Sequence, residues 1–149
     1  MEIGGIELSS ETEENLRLEG YYRRKDYSNS VYGKKWMRVY ANIRTIRIIN
    51  IIKRNFGSDS DVSIVDIGCG TGDLLKQLVR SNGNYSLTGL DFSPQMLENT
   101  VINTFELKKI DLIQGSAFKT SFTDNTFDVV VSTRFLHQYT DDLKIELFE

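Results

Sequence analysis

At 149 residues, with 40% apolar and 26% charged side chains, the chain has the size and composition of one globular domain. One cysteine, Cys69, and one histidine, His137, leave no internal disulfide and no Cys/His metal cluster, and no apolar run approaches the ~20 residues of a membrane span. The formal charge of −3 is unevenly spread: −5 over residues 1–20, +9 over 21–56 and −7 over 57–149. The first residues, Met1-Glu2-Ile3-Gly4-Gly5, lack the basic and apolar parts of a secretory signal, so the chain reads as cytoplasmic, without metal or membrane contact.

Ser10-Glu11-Thr12-Glu13 has the form of a capping box and Gly20 that of a stop, which predicts a short acidic helix over 10–19. Tyr21 to Ser30 is polar, aromatic and irregular. From Gly33 to Phe56, Trp36, Val39, Tyr40, Ile43, Ile46, Ile49, Ile52 and Phe56 recur at spacings of three and four, the pattern of a long amphipathic helix ended by Gly57. Its apolar stripe, Trp36, Ile43, Ile46 and Ile49, is expected to lie buried with the lysines and arginines outside. The basic stretch 21–56 reads as a structural cap; its charge leaves a nucleic-acid contact open as the alternative.

The pattern then turns to alternating strands and helices. Val62–Ile67 reads as a buried strand, 68–72 as a glycine-rich turn, and Asp73–Arg80 as a helix carrying Leu74, Leu75, Leu78 and Val79. Tyr85–Leu90 is a second strand, and Ser93-Pro94 opens a helix running to about Glu106. Ile110–Gln114 and Phe127–Val131 are the third and fourth strands, and Thr140 or Asp141 caps a last helix. This alternation predicts a doubly wound α/β domain with a parallel sheet over 57–149, preceded by an N-terminal helical cap over 1–56.

Asp66-Ile67-Gly68-Cys69-Gly70-Thr71-Gly72 falls at the C-terminal end of the first of these strands, where such folds bind ligands. Glycines there allow a tight turn and close approach of a ligand to the backbone, and the following helix offers unpaired N–H groups. The spacing of Gly68, Gly70 and Gly72 departs from the Gly-x-Gly-x-x-Gly of dinucleotide binders, and Gly72 is followed by Asp73 rather than a phosphate-binding lysine. An acid in the helix's first turn suits a ligand that carries positive charge.

Residues 62–139 resemble the nucleotide-binding half of the class I S-adenosylmethionine-dependent methyltransferases. The block Val62 to Gly72 is similar to that family's first motif, and Asp91 in Gly89-Leu90-Asp91-Phe92-Ser93-Pro94 to the acid that holds both ribose hydroxyls. Two carboxylate oxygens suit a vicinal diol. The resemblance implies S-adenosylmethionine as cofactor, S-adenosylhomocysteine as product, and a methyltransferase acting on a small-molecule acceptor. It implies cofactor contacts from Asp66, Gly68, Cys69, Gly70, Thr71 and Gly72, and from Asp91 with Phe92 and Met96 as adenine walls. Ser116, Ala117 and Phe118 match the adenine-reading segment, where many members carry Asp in place of Ser116. Ser132 and Thr133, ending the fourth strand, would face the methionine moiety. Arg134 would meet an acidic substrate, Tyr21 and Tyr22 would contribute to a substrate lid, and His137 is the one histidine available as a base.

The family's sheet has seven strands, of which four are legible here. The chain is therefore expected to be a fragment of a longer enzyme, or else a binding module that keeps the cofactor site without activity of its own. A bare Val129-Val130-Val131 edge is expected to drive self-association.

Overall fold

The computed structural model describes residues 2–3, 6–7, 17, 35–57, 59–81, 83–104 and 110–147. A short antiparallel ladder joins β1 (Glu2–Ile3) to β2 (Ile6–Glu7). After α1 (Lys35–Phe56) come β3 (Val62–Ile67), α2 (Asp73–Arg80), β4 (Tyr85–Asp91), α3 (Pro94–Thr104), β5 (Ile110–Gln114), β6 (Val129–Val131), a 3₁₀ turn (Leu136–Gln138) and α4 (Asp141–Glu146). The expected helix over 10–19 and the tyrosines Tyr21 and Tyr22 lie outside the described residues, as does the stretch 105–109 beyond Thr104.

The sheet order is β5-β4-β3-β6 and every pairing is parallel. The central strand β3 is buried along most of its length, and Val62, Ile64, Val65 and Ile67 make it mainly apolar because both its faces are covered, as parallel sheets require. Val62 and Ile64 enter a cluster with Leu74, Leu75 and Leu78 of α2, while Ile67 turns to a second cluster around Met96, Phe135, Tyr139 and Leu143. These two clusters on opposite strand faces make the domain doubly wound, as expected.

Two expectations need correction. The helix α1 forms where predicted, but of the predicted stripe's described side chains only Ile49 packs on the core. Ile43 is 46% and Ile46 54% exposed, and Val39 and Tyr40 are exposed as well. The inward face is instead Ala41, Arg44, Thr45, Ile48, Ile49 and Ile52, with Ile52 in the α2 cluster and Thr45 only 3% exposed. A helix rich in isoleucine on both sides offers two apolar stripes, and packing against α2 selects the one that meets Leu74, Leu75 and Leu78. Of Trp36, only its place in the helix is described.

The fourth parallel strand is also shorter than expected, beginning at Val129 rather than Phe127. Phe127 packs edge-on against Phe122 with ring centroids 4.8 Å apart. Asp128 clamps the entry to β6: its Oδ2 accepts from the Ser63 N–H (2.8 Å) and Oγ (2.6 Å), and its own N–H donates to Ser63 O (3.0 Å). These bonds hold its carboxyl below the usual range. Among the described residues, the outer edge of β6 has no strand partner, and Val130 is 67% exposed there. No helix among the described residues is long and apolar enough to cross a membrane.

Candidate cofactor site

The strand β3 delivers Asp66 to its C-terminal end and the chain then turns through Gly68, Gly70 and Gly72, with φ of 71°, 57° and 75°. Positive φ at three alternate residues is a path that side chains resist. Space adds a second constraint at Gly68, where an added Cβ would stand 2.5 Å from the Phe135 ring. At Gly70 an added Cβ would meet nothing within 4 Å, so this glycine faces open space above the loop.

The loop is pinned from both sides. Gly68 and Cys69 N–H groups donate to Leu90 O (2.8 and 3.1 Å), stitching the turn to the end of β4. Gly70 N–H donates to Asp91 Oδ2 (2.8 Å), and the other Asp91 oxygen accepts from Ser93 N–H (3.0 Å). Beneath, the fully buried Thr100 of α3 places its hydroxyl 2.6 Å from Gly70 O and 3.0 Å from Met96 O. Ser93 caps α3, its Oγ accepting from Met96 N–H at 3.4 Å. Asp91 is thus both a strand-tip acid and the fastener of the glycine loop.

Asp66 has a different character. It is 1% exposed, and its Oδ1 has no hydrogen-bond partner. Burial pushes its carboxyl up to about 8, repulsion from Asp91 adds to this, and the Arg44 guanidinium pulls the other way. Burial also raises Asp91, against the lowering pull of the Ser93, Gly70 and Phe92 N–H groups. The Cys69 thiol is pushed far up by burial and by both carboxylates. It fills space as a neutral thiol and offers no nucleophile.

One cleft gathers Asp66, Gly68, Cys69, Gly70, Thr71, Asp91, Phe92, Met96, Thr133 and Arg134. A small pocket on the other side of Gly68 and Asp91 brings in Ser116 and Ala117. The Ser116 Oγ accepts from Phe118 N–H (3.1 Å), and Phe118 packs edge-on against Tyr139 at 5.2 Å rather than lining either space. Gly72 is buried beneath the loop against Thr100. Ser132 lines a separate cavity of about 410 Å³ beside β6, away from the glycine loop. His137 is exposed on the 3₁₀ turn and lines none of these spaces; burial of the ring, then Arg134 and Lys144, lower its pKa. Arg134 sits at φ 62°, a left-handed conformation that is uncommon for a long side chain.

Cleft residues that sequence reasoning missed include Ala41, Arg44 and Thr45 of α1, Gln77 of α2 and Gln138 of the 3₁₀ turn. The available signal lay in α1, where Ala41, Arg44 and Thr45 continue the spacing of Ile48 and Ile52 with small or polar residues.

A parallel doubly wound sheet, a glycine loop closing its central strand and an acid at the tip of the next strand define the class: a Rossmann-like methyltransferase domain. The sequence pattern of the family described as methyltransferase domain matches residues 64–149. The chain belongs to the class I S-adenosylmethionine-dependent methyltransferase family. It is 32% identical over 129 residues to the demethylmenaquinone methyltransferase of Bacillus licheniformis, covering 86% of this chain and 52% of that protein. Its fold matches the magnesium protoporphyrin IX methyltransferase of Synechocystis, solved with bound S-adenosylmethionine, at a TM-score of 0.76 and 15% identity. That match covers 95% of this chain and 71% of the other. A methyltransferase structure from Methanococcus maripaludis matches at a TM-score of 0.62 and 23% identity, over 99% of this chain and 60% of that one. The chain spans about half the length of the curated relatives it matches. The family and fold expected from the glycine loop and Asp91 are borne out.

Proposed function

We propose that this chain is the cofactor-binding half of an S-adenosylmethionine-dependent methyltransferase with a small-molecule acceptor. The observation that carries the reading is Asp66: a buried acid with an unsatisfied oxygen, set in one cleft with an open glycine and a second acid. An orphaned buried acceptor is rare and is met by an arriving donor. The cleft fits a cationic nucleoside: Asp66 would take an ammonium group, Asp91 would take the ribose hydroxyls on its remaining lone pairs, and Phe92 and Met96 would flank the base. Ser116 and Ala117 would border the base edge. The acceptor class follows from the relative in Bacillus licheniformis, whose name specifies a quinone-type small molecule.

When bound, the cofactor supplies a methyl group already activated by the sulfonium. The protein's own work is then alignment and exclusion of water. The Gly70 backbone fixes the floor of the site through Asp91 and Thr100. Thr133 and Arg134 also line the cleft, where Arg134 would meet an anionic acceptor. Tyr21 and Tyr22 would complete a lid from the cap over 1–56, and the body over 57–149 would hold the cofactor. Ser132 and His137 are weaker candidates, the first because it opens on the β6 cavity and the second because it is exposed outside the cleft.

The test is calorimetry with S-adenosylmethionine, S-adenosylhomocysteine and NAD on the wild type and on Asp91→Ala. Binding of the first two, with NAD far weaker, is expected. The substitution is expected to cost about 1.5–3 kcal/mol, the worth of hydrogen bonds to a charged group. Tighter NAD binding, or unchanged affinity in a folded variant, would refute the assignment. A nucleic-acid acceptor is the second reading, favoured by the +9 charge of residues 21–56.

A further inference from the structure

The rotation of α1 that packs Ile48, Ile49 and Ile52 on the α2 cluster leaves a second apolar stripe outside. Val39, Ile43 and Ile46 recur at spacings of four and three, which places them on one side of the helix. All three are exposed, and Tyr40 and Ile51 beside them are 64% and 60% exposed. From Val39 to Ile51 the stripe runs for about 18 Å of helix. Single apolar residues on a surface are ordinary, whereas a contiguous row of this length marks a contact.

The charge of the helix decides the kind of contact. Its sequence holds six bases, Lys35, Arg38, Arg44, Arg47, Lys53 and Arg54, and no acid. Arg44 turns to the cleft, and Lys53 Nζ donates to Ser81 O at 3.2 Å. Arg47 and Arg54 are exposed, Arg47 four residues after Ile43 and Arg54 seven after Arg47, so they extend the apolar stripe on its own side. The first acids downstream, Asp59 and Asp61, follow Gly57, where the helix has ended. A nucleic acid would engage these arginines but set isoleucines against phosphate. A second copy of the same face would bring bases against bases. An anionic bilayer surface uses both kinds of side chain, because arginine stems lie along apolar surface while their heads reach lipid phosphates.

We propose that α1 docks the protein on an anionic membrane surface, with Val39, Ile43 and Ile46 entering the acyl boundary and Arg47 and Arg54 on lipid phosphates. This is a contact in the headgroup plane and not a span, for which no helix among the described residues is long and apolar enough. It rests on α1 alone and does not depend on the methyltransferase reading. The opposite face of the same helix lines the cleft through Ala41 and Thr45, so docking seats the cleft about one helix diameter, ~10 Å, from the bilayer.

The test is flotation of the full chain with vesicles, in which bound protein rises and aggregates sink. Vesicles of phosphatidylcholine alone are compared with vesicles carrying one part phosphatidylglycerol to three of phosphatidylcholine. The wild type is expected to float with the anionic vesicles and to bind the neutral ones roughly tenfold more weakly or less. Arg47→Gln with Arg54→Gln is expected to weaken anionic binding by about fivefold for each arginine. Ile43→Ser with Ile46→Ser is expected to weaken it at least about tenfold, with the urea midpoint unchanged because both side chains are exposed. A wild type that stays off anionic vesicles, or binds neutral ones equally, overturns the proposal even where no variant folds. So does an isoleucine variant that floats as the wild type does, or one whose fold is lost, since those isoleucines would then be covered by the chain itself. Tighter binding to an RNA duplex at the same salt, lost with the two arginines and indifferent to the two isoleucines, overturns it in favour of nucleic acid.

Discussion

Replacing Asp66 with asparagine isolates the most unusual ionisation in the molecule. The carboxyl is pushed from 3.8 up to about 8, chiefly by burial and secondarily by Asp91, with Arg44 opposing. Well below pH 3.8 the folded and unfolded chains both hold this proton, and the group has no effect on the slope. As the pH rises toward 8, the unfolded chain gives the proton up while the folded chain keeps it. The folded state then binds more protons, so stability falls with rising pH across this window and levels off above it. A shift of about four units at ~1.4 kcal/mol each amounts to on the order of 5 kcal/mol above pH 8, the full effect of the buried charge. Asparagine keeps the shape and removes the titration. Urea unfolding of both proteins from pH 4 to pH 9 gives the comparison, and their difference cancels the contributions of other groups. His137, whose pKa is lowered, works in the opposite direction, its neutral form favouring the fold as pH rises, and it is common to both proteins. The variant is expected to gain on the wild type steadily through the window. A difference that stays flat with pH would show that Asp66 is solvated or paired, and the account of the cleft as a site with an unmet acceptor would fail.

Two further substitutions probe the frame around the site. Gly68→Ala must adopt φ 71° and place its Cβ 2.5 Å from Phe135, so a loss of roughly 2–4 kcal/mol is expected in urea unfolding, and a loss under about 1 would mean the loop relaxes freely. Val130→Lys puts a charge on the bare edge of β6, so self-association measured by light scattering is expected to fall while binding of S-adenosylhomocysteine is unchanged; undiminished association would place the contact elsewhere.

What could be read from the sequence is what local chemistry dictates. The glycine loop announces itself because its residues are contiguous and each backbone torsion is tied to its own residue type. Asp91 is legible for a related reason: it ends a buried strand and stands two residues before a Ser-Pro helix start, and its two bonds to Gly70 and Ser93 follow from that position. Strand and helix limits of β3, α2, β4 and β5 came within a residue because apolar runs and turn residues alternate sharply there. The failures share one cause. Which stripe of α1 faces inward, whether Ser132 opens on the loop or on the β6 cavity, and how far Phe127 stays in the sheet are all decided by partners distant in sequence.

The misreading of α1 also hid the residue that matters most there. Taken as a cap whose isoleucines point in and whose bases point out, α1 assigns Arg44 to solvent by definition. Rotating the helix to the face chosen by Ile48 and Ile52 carries Arg44 and Thr45 inward with them, since residues three and four apart share a side. The inward face is then apolar for two turns and polar for the next. A helix gains nothing in core packing from turning an arginine inward; burying its Nε without a partner is a cost. That cost is borne next to Asp66, which bears the opposite one in the same cleft. A buried donor and a buried acceptor without partners, both lining one cleft, are better explained by a ligand that meets them than by two separate packing accidents. The polar break in an otherwise apolar helical face was the signal in the sequence, and it brings α1 into the lining of the cleft.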